Sequence, residues 1–279
     1  MRDLLFLTHR LPYPPNKGER IRAYHALQYL RRHFRVHLGT FIDHDNDLPF
    51  AEHLAADCAS SCFIRMPSQR ALWGGLSALL RGEALSLPYF RHAALQHWVD
   101  QTLEQHPIAV CLAYSGPMAQ YLTQRQLPRV MDLVDVDSEK FHNYADHKRW
   151  PMSWLYRREG VLLLEHERRV AADFNRTLLV SPAEAALFRR RAPESSHKID
   201  FYTNGVDSAY FSPLPRHPNP YGKAPVLVFT GAMDYTPNID AVRWFAERVM
   251  PTLRQRFADL QFHIVGSRPT GAVLALRRV

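Results

Sequence analysis

Leu4–Phe34 reads LLFLTHRLPYPPNKGERIRAYHALQYLRRHF. A short apolar run, Leu4–Thr8, has strand length and gives way to a loop with three prolines and a glycine. Beyond the loop Ala23, Leu27, Leu30 and Phe34 recur at spacings of three and four, which predicts one buried helix face. The same alternation continues. Further strands are expected at Val36–Ile42, Cys62–Met66, Ile108–Tyr114, Val130–Val134, Thr177–Val180 and Ile199–Tyr202. Helices are expected at Phe50–Asp57, 69–81, 91–105, from Gly116–Pro117 onward, and at Val136–Asp146, Met152–Asp173 and Pro182–Arg191. Regular β-α alternation predicts an α/β fold, a doubly wound parallel sheet with helices on both faces.

The chain of 279 residues exceeds what one core comfortably fills, so two domains are expected. Residues 212–225, SPLPRHPNPYGKAP, hold five prolines and almost nothing apolar, and read as a linker. The expected division is therefore 1–211, linker 212–225, and a second β-α domain beginning at 226 and running to 279. The second part offers the strand within PVLVFTGAMD, a helix from Pro237, and the strand Gln261–Val265. Pro251 should kink or split that helix, because proline lacks the amide donor needed mid-helix. There is no internal repeat with a period of 20 to 50 residues.

The formal charge is +8, and residues 1–35 hold eight Lys or Arg against Asp3 and Glu19. No zinc-finger spacing, RNP-like strand or basic zipper accompanies them, so nucleic acid is not the expected partner. An anionic membrane face fits such a surplus, and so does a plainly solvated basic surface. No run of eighteen apolar residues would span a bilayer, and Leu4–Leu7 is too short for a signal peptide, so a cytoplasmic protein is expected. Cys58, Cys62 and Cys111 form no metal pattern and read as small buried hydrophobes.

Four segments carry candidate chemistry. The loop THRLPYPPNKGERIR (8–22) follows a strand; Gly18 there admits close backbone approach, the next helix offers free N–H groups, and Lys17, Arg20 and Arg22 add positive charge. His9 stands at the strand end, where a histidine more often simply packs. MDLVDVDSE (131–139) clusters carboxylates: Asp135 falls just past a strand end, and Asp137 or Ser138 reads as a helix cap. YTNGVD (202–207) contains Asn204-Gly205, a tight-turn signal with positive φ. FTGAMDYTPNIDAV (229–242) runs from a strand into Gly231 and then a helix with Thr236 as cap and Pro237 at its first position, a phosphate-cradle layout without the G-x-G-x-x-G pattern.

Together the segments LTHRLPYPPNKGERIR, DLVDVDSEKF, LLVSPAEAALFR, TNGVDSAYFSP, FTGAMDYTPNIDAVRWF and FHIVGSRP, in this order, resemble the group 1 glycosyltransferases. The resemblance is closest to sugar transferases of exopolysaccharide clusters associated with PEP-CTERM sorting. It implies a GT-B fold, two facing Rossmann-like domains, and retention of anomeric configuration. It also implies a nucleotide-diphospho-sugar donor on the second domain and a glycan or lipid-linked acceptor on the first, with peripheral contact to the cytoplasmic membrane face. Gly18 and Gly231 match the glycines beside the donor diphosphate, and Asn204, Gly205 and Asp207 match the turn before the linker. Asp135 stands where many relatives carry a histidine. Where relatives place arginine and lysine after the second glycine, this chain has Ala232 and Pro237, which leaves Arg268 as a candidate cation. The family's paired glutamates are absent, so the donor domain reads as incomplete and the chain alone is expected to be nearly inactive. Residues and resemblance together nominate Asp135 as catalytic, and His9, Lys17, Gly18, Asn204, Gly205, Gly231, Asn238 and Arg268 for substrate or donor binding. Neither a metal nor a cofactor is expected. A non-catalytic interaction module and a nucleotide-sugar epimerase are the competing readings.

Overall fold

The computed structural model describes residues 1–16, 18–66, 81–212 and 224–278. Lys17, the helix expected at 69–81 apart from Arg81, and residues 213–223 of the proline-rich stretch lie outside them. Two compact units are present, Met1–Val206 and Asp207–Val279.

Among the described residues the first unit holds seven strands: β1 (Arg2–Thr8), β2 (Phe34–Ile42), β3 (Ser60–Arg65), β4 (Ile108–Tyr114), β5 (Arg129–Val134), β6 (Arg176–Leu179) and β7 (Ile199–Phe201). They lie in the order β3-β2-β1-β4-β5-β6-β7, and every neighbouring pair is parallel. Its longer helices are α1 (Gly18–Arg31), α2 (Leu48–Ala56), α3 (Ala93–Gln105), α4 (Asp137–Asp146), α5 (Met152–Asp173) and α6 (Pro182–Arg191). After β4 the chain makes a 3-10 helix, Gly116–Tyr121.

Period-two alternation along β1 explains why both faces are covered. Leu5 and Leu7 join a core with Cys111, Ala113, Met131 and Phe174. Leu4 and Phe6 point the other way, into a second core with Ala23, Leu27, Val36, Leu38 and Leu54. Each side chain so buried contributes roughly 1.5–3 kcal/mol, which fixes β1 at the centre of the sheet. Phe34 is not on the α1 face; it opens β2, because the helix ends at Arg31 and a turn intervenes. Cys111 is buried and burial pushes its thiol up to about 12, so it packs as an inert apolar group.

The second unit pairs β8 (Val226–Thr230) with β9 (Gln261–Val265) in parallel. Between them run α7 (Thr236–Trp244), a π-turn (Phe245–Val249) and α8 (Met250–Arg256); α9 (Gly271–Ala275) follows β9. The π-turn lies immediately upstream of Pro251, so the expected interruption of this helix takes that form: widening the turn accommodates the missing amide and the ring. The cap position before α7 is Tyr235 and no side chain caps it, so Thr236 does not serve as the cap. Met233, Val242 and Val273 form the small core, with Phe229, Ile239, Phe262 and Ile264 packed on it.

Candidate functional site

Strand order reverses direction between β1 and β4, and open α/β sheets bind ligands beyond the carboxyl ends of the strands at such a switch point. The residues there are Thr8 and His9, Tyr114 and Ser115, and Val134 and Asp135. Two of them have backbone that non-glycine residues avoid: Ser115 at φ 75° and Val134 at φ 71°. Such conformations cost about 1–3 kcal/mol each and persist only where neighbours enforce them. Here both are tied to Asp132. Ser115 N–H donates to its carbonyl (2.8 Å), Val134 N–H to its carboxylate (3.1 Å), and the β5–β6 register slips between Asp132 and Val134.

His9 is held rather than loose. Its ring stacks on Tyr114 at 6.0 Å and meets the edge of Phe90 at 5.7 Å. Its Nε2 faces the Glu19 carboxylate at 3.7 Å, while Nδ1 is buried without a hydrogen-bond partner. Glu19 also accepts from Arg10 at 2.7 Å, and Arg10 reaches Asp43 at 2.8 Å. His9 beside it, then Arg10, hold the Glu19 carboxyl down at about 2 against the opposing effect of burial. An ionised carboxylate therefore stands in the first turn of α1, next to Gly18, where an anion would otherwise be favoured. A β-carbon at Gly18 would meet nothing within 4 Å.

Arg20 and Arg22 do not supply free positive charge. Arg20 is buried in a two-contact pair with Asp47, at 2.7 and 3.3 Å. Arg22 is buried against Asp132, at 3.0 and 3.3 Å, and its guanidinium lies 3.5 Å over the Tyr202 ring. Arg22 also donates to the Tyr202 carbonyl and to Asn204 Oδ1, both at 2.9 Å, and the Tyr202 hydroxyl donates to Asp132 at 2.5 Å. Burial pushes the Asp132 carboxyl up, and Arg22, Tyr202 and the Val134 amide pull it back. Asn204 thus fastens the end of the first unit to α1. Gly205 lacks the positive φ of the expected turn; 202–207 has no regular structure, and the turn comes at 208–211, where Asp207 Oδ1 accepts from the amides of Ala209 and Tyr210.

Asp135 is partly exposed and accepts from Lys140 Nζ at 2.7 Å; the same ammonium reaches Asp137 at 3.0 Å and its pKa is raised between the two carboxylates. Neither Asp137 nor Ser138 caps α4. Glu184 of α6 accepts the Val136 amide (2.9 Å), and buried Glu167 of α5 accepts the Ser138 amide and hydroxyl (3.1 and 2.6 Å). Burial pushes Glu167 up to about 7.

In the second unit Gly231 follows β8 and Gly266 follows β9. A β-carbon on Gly266 would sit 1.7 Å from the Gly231 carbonyl oxygen, and one on Gly231 would sit 2.6 Å from Asn238 Nδ2. Asn238 donates to the Ala232 carbonyl at 3.0 Å, closing the loop that ends in α7. Arg268, at φ 52°, pairs with Asp234 at 3.0 Å. Gly231, Asn238 and Arg268 thus belong to one loop cluster. The expectations missed Glu19 and the Arg22–Asp132 pair, whose signal was only a basic helix start and one more acid in a cluster.

No protein-family model and no curated protein matches this sequence. Solved structures do match in fold. One is alpha,alpha-trehalose 6-phosphate synthase from Burkholderia multivorans, with TM-score 0.55 and 11% identity over 100% of this chain and 68% of that one. Another is described as trehalose-6-phosphate from E. coli bound with UDP-2-fluoro glucose, with TM-score 0.54 and 11% identity over 99% of this chain and 67% of that one. A third is alpha,alpha-trehalose-phosphate synthase (UDP-forming) from Burkholderia vietnamiensis, with TM-score 0.52 and 11% identity over 100% and 66%. The likeness at this identity shows the fold: a GT-B-like α/β architecture with a doubly wound first unit and a second Rossmann-like unit. The chain spans about two thirds of the length of these structures.

Proposed function

We propose that this chain is the acceptor-side domain and the opening of the donor domain of a glycosyltransferase. It would move a sugar from a nucleotide-diphospho-sugar to a glycan or lipid-linked acceptor in exopolysaccharide synthesis. The carrying observation is the switch point itself: a held histidine with a free buried nitrogen, two enforced positive-φ residues, and Asp135 at the adjoining strand end. In this reading His9 Nδ1 meets a sugar hydroxyl, Asp135 acts at the reacting centre once Lys140 is displaced, and the Gly231–Asn238 loop with Arg268 faces the diphosphate. Catalysis then consists of positioning and charge stabilisation of the leaving group.

The test is sugar transfer from a panel of labelled nucleotide sugars to membrane extract, by a version extended to carry a full donor domain and by this chain alone, which should be nearly inactive beside it. His9→Gln and Asp135→Asn should each lower transfer by about 10²-fold or more. Transfer unaffected by either variant refutes the assignment, and conversion of the free donor without acceptor marks an epimerase. The division at 212–225 is tested by limited proteolysis, with first cuts expected there; early cutting inside 100–200 contradicts it.

We propose a further carrier for peripheral membrane contact beside the basic first domain and the apolar Leu72, Trp73 and Leu76, which lie outside the described residues. The turn between α4 and α5 exposes Trp150 (80%), and the first turn of α5 exposes Trp154 (56%), beside exposed Lys148 and Arg149. Aromatic rings with neighbouring cations suit an anionic lipid headgroup layer. In the first 35 residues, by contrast, Arg10, Arg20, Arg22, Arg31 and Arg35 all have carboxylate partners. Among the described residues no helix is long and apolar enough to cross a membrane. Binding to anionic vesicles should weaken with salt and in Trp150→Ala/Trp154→Ala; equal binding to neutral vesicles at high salt excludes the electrostatic part.

A further inference from the structure

A second cluster lies at the other end of the first unit's sheet, where the strands begin. Asp3 is at the start of β1, His37 is near the start of β2, and His106 ends α3 just before β4. One ligand atom from each of the three lies within 4.8 Å of the other two. Asp3 and His37 are buried, and His106 is half-buried, so the group has one side toward solvent. The two imidazole rings are 4.4 Å apart at 34°.

The hydrogen bonding around these groups is incomplete in a particular way. His37 Nδ1 is 2.7 Å from Ser60 Oγ, a good hydrogen bond. Its other nitrogen, Nε2, is buried with no hydrogen-bond partner, and so is Asp3 Oδ1. Nε2 faces Asp3 Oδ2 at 3.8 Å, too long for a hydrogen bond. Buried polar atoms of this kind are nearly always satisfied, and each costs about 1–3 kcal/mol when they are not. Two ligands bound to one tetrahedral ion at about 2.0–2.2 Å stand roughly 3.3–3.6 Å apart. The Nε2–Oδ2 gap is close to that separation, and a small inward movement of either side chain closes the difference. Ser60 stands where metal-binding histidines place their outer partner, on the nitrogen that does not ligate. Arg35 Nε lies 3.4 Å from Asp3 Oδ1, at the solvent side of the cluster, with its side chain 56% exposed.

We propose that Asp3, His37 and His106 form a site for a divalent transition-metal ion, with zinc the ion of matching chemistry and water completing its coordination from the His106 side. Two imidazoles and one carboxylate suit zinc better than calcium or magnesium, which prefer all-oxygen shells. The site is remote from the switch point, so the ion would clamp β1, β2 and the α3–β4 connection together rather than take part in sugar chemistry. The rival reading is a polar knot satisfied by protons and ordered water alone.

The untagged chain, stripped with chelator, should be titrated with Zn²⁺ by calorimetry and with Co²⁺ by visible absorption. One equivalent should bind, Co²⁺ should show the strong bands of a tetrahedral site, and Zn²⁺ should raise the Tm. His106→Gln, at the half-exposed ligand, should weaken Zn²⁺ binding by 100-fold or more and abolish the Tm rise. Ser60→Ala should weaken it by about 10-fold while keeping one equivalent, because it only orients His37. His37→Gln serves as a further variant if it folds. Absence of stoichiometric binding to the stripped wild type overturns the proposal, and so does binding left unchanged in a folded His106→Gln.

Discussion

β1 and β8 are near twins in sequence, RDLLFLT against VLVFT, yet their surroundings differ. In β1, Leu5, Phe6 and Leu7 are fully buried, between a strand on either side and a core on either face. In β8, Leu227 is 37% and Val228 48% exposed, and the described residues supply one neighbouring strand, β9. An apolar strand announces that it suits burial on both faces, but neighbours decide whether it is buried. The two units also hold their loops differently. The first uses buried charge pairs, Arg20–Asp47 and Arg22–Asp132; the second uses close backbone approach, Gly231 against Gly266, and an exposed pair, Arg268–Asp234.

Hydrogen exchange probes this comparison with the largest expected effect. Amides of β1 and β4 should exchange about 10³-fold or more slowly than those of β8 and β9, since protection tracks buried apolar contact. Equal protection in both sheets would break the comparison outright.

The buried pair comes next. Asp132→Ala leaves the Arg22 guanidinium buried without its carboxylate and should destabilise the first unit by about 3–5 kcal/mol. The Tyr202 hydroxyl loses its acceptor, and Arg22, which holds Asn204, loses the carboxylate that fixes it, so exchange at 202–206 should rise along with the global loss. The double variant Arg22→Met/Asp132→Leu should recover much of the stability by urea denaturation, but not the ordering of 202–206. Recovery of both would show that the pair is not what orders that segment.

The sheet was legible because its signal is local. Ile108–Tyr114 and Gln261–Val265, and the helices Met152–Asp173 and Pro182–Arg191, were all readable from periodicity and flanking prolines or polar residues. Pro251 was legible for the same reason. The charge pairs were not, since Arg22 finds Asp132 110 residues away and the Tyr202 carbonyl 180 away. Eight cations in 35 residues therefore looked like a surface field when five of them have carboxylate partners. The Asn204-Gly205 signal failed for a related reason: Arg22, 182 residues away, takes the Asn204 side-chain oxygen that a local turn would use. Glu167 was invisible as a cap because it reaches α4 from 29 residues along the chain.

Glu167 gives the next effect in size. Its carboxyl is raised to about 7 in the fold against 4.5 ordinarily, so the folded chain binds more protons than the unfolded chain between those values. Its contribution is then fully present below about pH 4.5 and is lost as pH rises through 7, an effect of order 3 kcal/mol at most. Glu167→Gln keeps an acceptor for the Ser138 amide and carries no charge to bury. That variant should flatten the fall in stability between about pH 4.5 and 7, and should be the more stable form at pH 9. An unchanged pH profile would mean that Glu167 is ionised throughout.

The smallest effect separates charge from backbone at Arg268. This residue combines an exposed ion pair with Asp234 and a positive φ of 52°. An exposed pair is worth about 0–1 kcal/mol, and a left-handed backbone costs a non-glycine residue about 1–2 kcal/mol. Arg268→Ala loses the pair and keeps the strain; Arg268→Gly loses the pair and relieves it. The glycine variant should therefore be more stable than the alanine variant by about 1 kcal/mol in urea titrations that monitor the second unit. Equal stability would mean the chain relaxes out of that conformation at no cost. The same variants bear on the diphosphate assignment through a different observable. If Arg268 faces the donor, both variants should weaken nucleotide-sugar binding alike despite their unequal stability. Asp234→Asn, which frees the guanidinium, should tighten it. Donor affinity that follows stability instead, highest in glycine and lowest in alanine, would remove Arg268 from the donor site and leave it as a strained loop residue with a surface partner.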